Sequence, residues 1–269
     1  MCIISLLGAS FAESHKRASM HSESRLKVHD HTDVKVRTLR SLIQAKNEAL
    51  LEHRYFRLCQ SGELGREQML EVVKQLYCFS VFFERLLTRR ITEYSSRGDR
   101  ELLQMAREHL REEIGHAELF RACLENNGIT ADEISQIEPK MFTKATFGYL
   151  VATIQHENEY VTNVAIMQVM ESIGFIFFSS TLRAMDAHRL SADALVQHTE
   201  MDEHHPEMGW DFVPSFDDAT MADCQRVVED IYRLMGFTFD EWLGLSPTAS
   251  GTGTPRRVRQ SNRPTRKAS

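Results

Sequence analysis

Proline and glycine are scarce in this sequence, with 6 prolines and 13 glycines among 269 residues. Because these are the residues that most often interrupt helices, their scarcity favours long helical segments. Alternating apolar patterns that would indicate β-strands are nearly absent, whereas helical periodicity dominates from Asp33 onward. The sequence therefore predicts an all-α protein built as a helical bundle.

Cysteine pairs and long apolar runs are also missing. The five cysteines are scattered and lack C-x2-C spacing, which argues against a disulfide framework or a zinc ribbon and fits a reducing compartment. No uninterrupted apolar run reaches the roughly 18 residues that a membrane span needs, and Met1–Ala12 lacks the basic start of a signal peptide. We therefore expect a cytoplasmic protein with no membrane partner.

Charge is unevenly distributed along the chain. The net charge is −6, but Pro247–Ser269 holds six basic and no acidic residues, so the rest of the chain carries −12. An acidic body of this kind is not typical of a nucleic-acid binder. We predict a flexible leader over 1–32, one helical domain over 33–246 and a disordered basic tail over 247–269.

Cap and turn residues divide this domain into helices. Asp99 is a predicted N-cap, and Thr130 with Glu133 has the form of a capping box. Ser191 is expected to cap a helix that carries residues 198–205. The other predicted helices cover 33–60, 66–94, 99–126, 143–187, with a break near 156–159, and 217–236.

The sequence H-x3-D-x2-H, formed by His198, Asp202 and His205, is the most informative motif. At 3.6 residues per turn these three side chains share one stripe of a helix. Two imidazoles and a carboxylate on one stripe are suitable metal ligands. A surface cluster of polar residues is the alternative interpretation.

Other candidate ligands are carboxylates on apolar helices. Glu84 follows Phe82 and Phe83, and Glu171 lies within the most apolar stretch of the chain, so each needs a partner when buried. Glu113 and His116 form an E-x2-H pair at helical spacing. Glu112 is an alternative to Glu113, and Glu157 or Glu159 could replace Glu171.

The predicted metal ligands are therefore four carboxylates and three imidazoles, with Glu84, Glu113 and Glu171 as the catalytic carboxylates. Oxygen-rich ligation with a few histidines suits iron or manganese better than zinc or calcium. This number of ligands is enough for two metal ions. The full predicted set is Glu84, Glu113, His116, Glu171, His198, Asp202 and His205.

These motifs resemble the heme-oxygenase-like diiron oxidase and oxygenase superfamily over roughly residues 35–240. His198–His205 looks like the H-x3-D-x2-H helix of that superfamily, Glu113–Phe120 like its Glu-and-His helix and Met170–Gly174 like the segment with a later Glu ligand. Glu84 matches the Glu of its first core helix. The resemblance implies a seven-helix fold. His109 is an extra imidazole one turn before Glu113, and we expect it at most to support the ligands.

The resemblance also implies a reaction. Two Fe(II) ions would react with O2 to give a peroxo-diferric species that attacks a small substrate. The implied classes are N-oxygenation, oxidative C–C cleavage, desaturation and nitrile formation. The histidines would be terminal ligands, while the Glu84 and Glu113 carboxylates would bridge or shift.

An aromatic, apolar pocket is expected to bind an amino-acid-like or lipid-like substrate. Lys144, Arg85 or Arg183 could pair with a substrate carboxylate, and Gln168 could hydrogen-bond to Glu171. A homodimer is one possible assembly. The expected aromatic lining comprises Tyr77, Phe79, Phe82, Phe83, Tyr149, Phe175 and Phe178.

Three other interpretations are compatible with the same residues. A ferritin-like diiron protein would use Asp202 and His205 as a variant of its second E-x2-H pair. A metal-free, thiaminase-like protein would want a cysteine near the site, for which Cys78 and Cys123 are candidates. A helical interaction protein would use the buried carboxylates only in salt bridges.

Overall fold

The computed structural model describes residues 33–97, 99–192, 195–196 and 205–245, and these form an all-α bundle without a β-strand. This confirms the predicted fold class. The helices are α1 Val34–Leu51, α2 Arg54–Ser61, α3 Arg66–Arg97, α4 Arg100–Glu113, α5 His116–Asn126, α6 Ala131–Ser135, α7 Met141–His156, α8 Glu159–Asn163, a π-helix Val164–Met170, α9 Glu171–Ala187, 3-10 turns His205–Glu207 and Trp210–Ser215, and α10 Asp218–Trp242.

Helix α3 is the central element, because α4, α5 and α7 all pack along it. Helix α10 covers α7, α1 and the π-helix on the other side. Stacked aromatic rings join these layers: Tyr55, Phe177 and Phe239 lie with centroids 5.4 to 5.5 Å apart. The apolar faces thus meet in one main core, as expected when amphipathic helices bury their stripes together.

Several local signals are confirmed. The Asp99 side chain accepts a hydrogen bond from the backbone N–H of Leu102, and Thr130 and Glu133 form both bonds of a capping box. The helix over 143–187 is interrupted at Glu157 and Asn158, and Asn158 caps α8. These caps can be recognised in the sequence because the capping side chain and the N–H group that it binds lie within one helical turn of each other.

Three predicted helices have different bounds. The segment 33–60 is two helices, because His53 caps α2 after α1 has ended. The segment 99–126 is also two helices, since Ile114 is extended and Gly115 has a φ of 99°. The last helix continues past 236 to Trp242.

One helical stretch, Glu159–Ala187, is long and apolar enough to cross a membrane by length and composition alone. The search of the sequence for an uninterrupted apolar run did not identify this stretch. In the fold, 78% of its most apolar window is buried inside the protein. It therefore has the burial of a core helix.

Some predictions lie outside the described residues. These are the leader over 1–32, the tail over 247–269 and most of the helix predicted to carry residues 198–205, including His198 and Asp202. His205 is described, and it begins a 3-10 turn.

Candidate metal centre

The site is built around the junction between α4 and α5. Glu113 is the last residue of α4 and His116 is the first of α5, so the predicted E-x2-H pair spans a helix break and not a continuous helix. Gly115 makes this turn possible, because its φ of 99° is a conformation that residues with a Cβ rarely adopt. His116 Nδ1 lies 2.8 Å from Glu113 Oε2 across the break.

Glu84 of α3 stabilises this junction. Its Oε1 accepts hydrogen bonds from the backbone N–H groups of Gly115 at 3.1 Å and Ala117 at 3.3 Å. A carboxylate at the start of a helix satisfies donors that have no partner within the helix. The Glu84 side chain therefore acts as a cap for α5, supplied by a helix 31 residues earlier in the chain.

Four buried side chains from three elements converge beside the junction: His109 and Glu113 of α4, Glu171 of α9 and His205 of the first 3-10 turn. One potential ligand atom from each lies within 4.8 Å of the others. His109 Nε2 is 3.0 Å from Glu171 Oε1, and His205 Nδ1 is 3.2 Å from Glu171 Oε2. Glu171 thus lies between the two imidazoles.

His205 also contacts the flanking carboxylate on α4. Its Nε2 lies 3.0 Å from Glu112 Oε2, while its Nδ1 faces Glu171. Glu112 is about two-fifths exposed, whereas Glu113 is buried. Glu113 is therefore the residue that points into the cluster, and Glu112 approaches His205 from its outer side.

The two oxygens of Glu113 face different neighbours. Oε2 contacts His116, whereas Oε1 lies 3.9 Å from His109 Nε2 and 3.8 Å from His205 Nδ1. This carboxylate therefore spans two adjacent spaces, one near His116 and one between the other imidazoles. Such an arrangement suits a carboxylate that bridges two cations.

The electrostatics of the site are dominated by carboxylates around His205. Burial by itself would lower the pKa of His205, but hydrogen bonds to Glu112 and Glu171 and the charge of Glu113 raise it to about 11. Burial would raise the pKa of Glu171, yet His109 and His205 hold it well below its usual value. The hydrogen bond to His205 likewise lowers the pKa of Glu112. Without a metal ion, the cluster thus holds a proton on His205.

A cation fits this cluster on chemical grounds. Glu113 Oε1 is a buried acceptor with no hydrogen-bond partner among the described residues, and it faces the space between His109 and His205. Buried acceptors without a donor are rare and call for a missing partner. A metal ion next to Glu113, Glu171 and His205 would supply it, with the oxygen and nitrogen donors that iron accepts.

The structure brings some of the predicted metal ligands together but not all of them. Glu113, Glu171 and His205 come together, and His116 joins them through Glu113. Glu84 faces the same cavity but is bound to backbone N–H groups, so its place in the ligand set stays a prediction. His198 and Asp202 lie outside the described residues.

The two acidic alternatives to Glu171 lie elsewhere. Glu157 pairs with Arg226 at 2.7 Å, and Glu159 lies 3.9 Å from Arg97. Gln168 does not act on Glu171 either, because its amide nitrogen donates to the backbone oxygen of Met208. Glu171 therefore remains the candidate metal ligand of this helical region.

Sequence reasoning placed His109 outside the metal ligands and missed its neighbour Arg90. His109 Nδ1 lies 3.3 Å from an Arg90 guanidinium nitrogen, and Arg90 is fully buried on α3. One signal was available, since Arg90 follows Phe83 and Leu87 on a helical stripe that is otherwise apolar. The contact itself joins residues 19 positions apart on two helices, which no local pattern encodes.

An apolar cavity opens from the metal cluster. It contains about 620 Å³ of space between side chains, part of it open to solvent. Glu84, Glu113, His116 and Glu171 form its polar end. The remaining lining includes Phe79, Phe83, Phe178, Phe239, Trp242 and Met235.

The predicted lining is therefore partly correct. Phe79, Phe83 and Phe178 line the cavity, whereas Tyr77, Phe82, Tyr149 and Phe175 do not. Phe175 is 39% exposed on the outside of α9, because the helical phase turns it away from the core. The candidate anchors Arg85, Lys144 and Arg183 are exposed, and none lines the cavity.

This geometry defines a class of protein: an all-α bundle with a buried cluster of carboxylates and histidines. Similarity to known proteins supports the same class. The profile of the iron-containing redox enzyme family matches residues 70–237. The chain therefore belongs to the iron-containing redox enzyme family. No curated protein matches the sequence.

Solved structures share the fold at low sequence identity. A TenA homolog from Pseudomonas syringae pv. tomato str. DC3000 has a TM-score of 0.66 at 12% identity, covering 79% of this chain and 94% of the other. A domain of unknown function with a heme oxygenase-like fold from Shewanella denitrificans OS217 has 0.65 at 14%, covering 77% and 91%. A CADD-like protein of unknown function from Nostoc punctiforme PCC 73102 has 0.61 at 13%, covering 77% and 97%. These likenesses establish the heme-oxygenase-like fold.

Proposed function

We propose that this protein is a non-heme diiron oxidoreductase that uses O2 to oxidise a small, largely apolar substrate. The observation that carries the proposal is that Glu113 and Glu171, which belong to one buried cluster with His205, line the polar end of an apolar cavity. Membership of the iron-containing redox enzyme family supports iron as the metal.

In this proposal the cluster residues hold the metal and order the site. Iron would supply the ability to reduce O2. Glu113 would bridge, because its two oxygens face separate spaces, while Glu171 and His205 would hold one side and His116 the other. Glu112 would orient the His205 ring from outside through its 3.0 Å contact.

The cavity supports a lipid-like substrate over an amino-acid-like one. An amino acid carries an ammonium and a carboxylate, and a buried carboxylate needs a cationic or multiple hydrogen-bonding partner. No lysine or arginine is among the described residues that line the cavity, and away from the cluster its walls are apolar apart from Ser80. An alkyl chain would match these walls, with its polar head directed to the cluster.

The thiaminase-like alternative receives less support from the same cavity. Cys78 contacts the backbone oxygen of Ile137, and Cys123 contacts that of Ser191, so neither faces the cluster. Burial raises the pKa of the Cys78 thiol to about 11, which disfavours the nucleophilic thiolate.

Anaerobic loading with Fe(II), followed by metal analysis and O2 uptake, tests the metal assignment. We expect iron to approach two per chain. Glu113→Gln should lower iron retention and abolish Fe-dependent O2 consumption, because it removes the shared carboxylate. The matched control is Glu118→Gln, since Glu118 lies on the adjacent helix but is exposed and pairs with Arg121.

A second pair of variants tests the histidine. His205→Ala should abolish O2 consumption, while His156→Ala should not, because His156 is exposed at the end of α7. Wild-type protein that retains no iron after anaerobic loading would overturn the proposal. Unchanged activity in both His205→Ala and Asp202→Ala would remove the site assignment.

Displacement of a solvatochromic dye from the cavity tests the substrate class. We expect a medium-chain fatty amine to displace the dye, and phenylalanine not to displace it. Preferential binding of the amino acid would contradict the lipid-like assignment and leave the metal assignment intact.

A further inference from the structure

Arg90 is a fully buried arginine with no carboxylate partner among the described residues. Its exposed fraction is 0%, and no carboxylate among the described residues lies within 4.0 Å of it. Burying a guanidinium without an anion is costly, so its remaining contacts should explain its presence. One of these contacts is His109, whose opposite edge faces the carboxylate cluster.

The other contacts fix the orientation of the guanidinium. One terminal nitrogen donates to Asn163 Oδ1 at 2.7 Å, and the other lies 3.4 Å from Met167 Sδ. The guanidinium carbon is also 5.1 Å from the centre of the Tyr94 ring, which favours a cation. These three contacts come from α3, α8 and the π-helix, so the group is held from several sides.

This orientation determines which nitrogen of His109 carries its proton. An arginine guanidinium has five N–H donors and no acceptor. At 3.3 Å from the guanidinium, His109 Nδ1 must therefore be the acceptor, and a neutral ring must carry its proton on Nε2. Nε2 is the atom that faces Glu171 Oε1 at 3.0 Å and Glu113 Oε1 at 3.9 Å.

We propose that Arg90 is a positioning residue that locks His109 in its Nε2–H form, so that His109 donates a hydrogen bond into the cluster and is not itself a metal ligand. The role in the metal site rests on the proposed function, whereas the ring form is a property of the metal-free chain. A neutral histidine that binds a cation through Nε2 needs its proton on Nδ1, where it would face the guanidinium.

The surroundings of His109 Nε2 indicate what its N–H group could bind. No acceptor is aligned with Nε2 among the described residues, although two carboxylate oxygens lie nearby. A small rotation of either carboxylate, or a water or substrate oxygen in the centre, would accept this proton. His109 would then orient Glu171 or that oxygen from the second layer around the metal.

Nitrogen-15 NMR of the metal-free protein tests the ring form directly. In wild-type protein we expect the two-bond couplings and shifts of a neutral His109 ring protonated on Nε2. Arg90→Met replaces arginine with an unbranched side chain that has no N–H donors, and we expect this preference for Nε2–H to be lost in that variant. Arg97→Met is the control, because Arg97 lies on the same helix and binds backbone oxygens of Ile154 and Glu157 away from the site.

The wild-type spectrum alone can overturn the proposal, even if Arg90→Met fails to fold. An Nδ1–H ring, or a ring protonated on both nitrogens, would contradict it. Arg90→Lys is the conservative variant, and it should retain part of the Nε2–H preference because an ammonium can donate but cannot accept a hydrogen bond.

Iron analysis after anaerobic Fe(II) loading tests the consequence for the ligands. His109→Gln should retain the wild-type iron content, while Glu113→Gln should lose part of it. Loss of one iron per chain in His109→Gln would show that His109 is a ligand and would overturn the inference. Absence of iron from the wild-type protein would instead overturn the proposed function, and the NMR result would stand.

Discussion

At the scale of single residues, the site is a set of acids that need positive charge. Glu112, Glu113 and Glu171 surround His205, and a proton on that imidazole offsets part of their negative charge when no metal is bound. A bound cation and this proton would compete for the same position, because a ligating imidazole nitrogen must be unprotonated.

The stability of the metal-free protein should therefore depend on pH through His205. Its pKa is raised from 6.5 to about 11, so its contribution is complete below about pH 6.5 and is lost as pH rises toward 11. For one proton the free energy of unfolding should fall by at most about 1.4 kcal/mol per pH unit. Urea unfolding with a chelator present, between pH 6 and pH 10 (roughly the window set by these two values), measures this slope.

The matched variants are His205→Gln and His156→Gln. The first should flatten the slope, and the second should leave it unchanged because His156 is exposed. An identical slope in His205→Gln and wild-type protein would mean that another group controls the dependence. Glu171 acts in the opposite direction, since its lowered pKa gives stability that is present above about pH 4.5 and lost as pH falls.

At the scale of elements, a turn and the π-helix hold His205 in place. Met208 accepts a hydrogen bond from Gln168, and Gly209 lies directly over the side chains of Asn163 and Gln168. Gly209 has a φ of 86°. The turn can approach this closely because glycine has no Cβ.

Gly209→Ala should therefore destabilise the protein more than an ordinary substitution at a left-handed glycine. Gly128→Ala is the control, since Gly128 has a φ of 91° but no atom within 4 Å of the position that an added Cβ would occupy. The control should lose about 1–2 kcal/mol from backbone strain, whereas Gly209→Ala should lose about 1–3 kcal/mol more through overlap with Asn163. Chemical denaturation measures both, and equal losses would show that the turn relaxes freely.

The same scale explains which elements could be predicted from the sequence. The caps at Asp99 and Thr130 and the helix break near Asn158 could be predicted, because each capping side chain and the N–H group that donates to it are close along the chain. The break at Gly115 was not, since an isolated glycine is tolerated inside a helix and the cap for α5 comes from Glu84 on another helix. In the site, Glu113, Glu171 and His205 could be proposed from type and spacing, but the role of Arg90 required the packing of α3 on α4.

At the scale of the whole molecule, one aromatic cluster joins the helical layers and forms a wall of the cavity. Phe239 on α10 contacts Tyr55, Phe56, Phe177 and Trp242, and its side chain is fully buried. The shape of the cavity and the stability of the bundle thus depend partly on the same ring.

Phe239→Ala should lower the free energy of unfolding by about 3–5 kcal/mol, because it leaves a large void in a packed core. Phe175→Ala is a control of the same chemistry, since Phe175 is 39% exposed, and it should cost under about 1 kcal/mol. Denaturant midpoints at constant slope measure the difference. Similar losses in the two variants would place the core elsewhere.

The carboxylate that caps α5 also makes that helix a reporter of the site. Glu84 cannot hold the N–H groups of Gly115 and Ala117 with the same oxygen that turns toward a cation in the cavity. If a ligand draws this oxygen away, these two amides should exchange their hydrogens with solvent faster, beside the exposed side chain of Ile114. Slower hydrogen exchange of these amides after iron loading would instead mean that Glu84 remains a cap while the site fills. The exchange rates of the Gly115 and Ala117 amides would therefore show which role the Glu84 carboxylate plays.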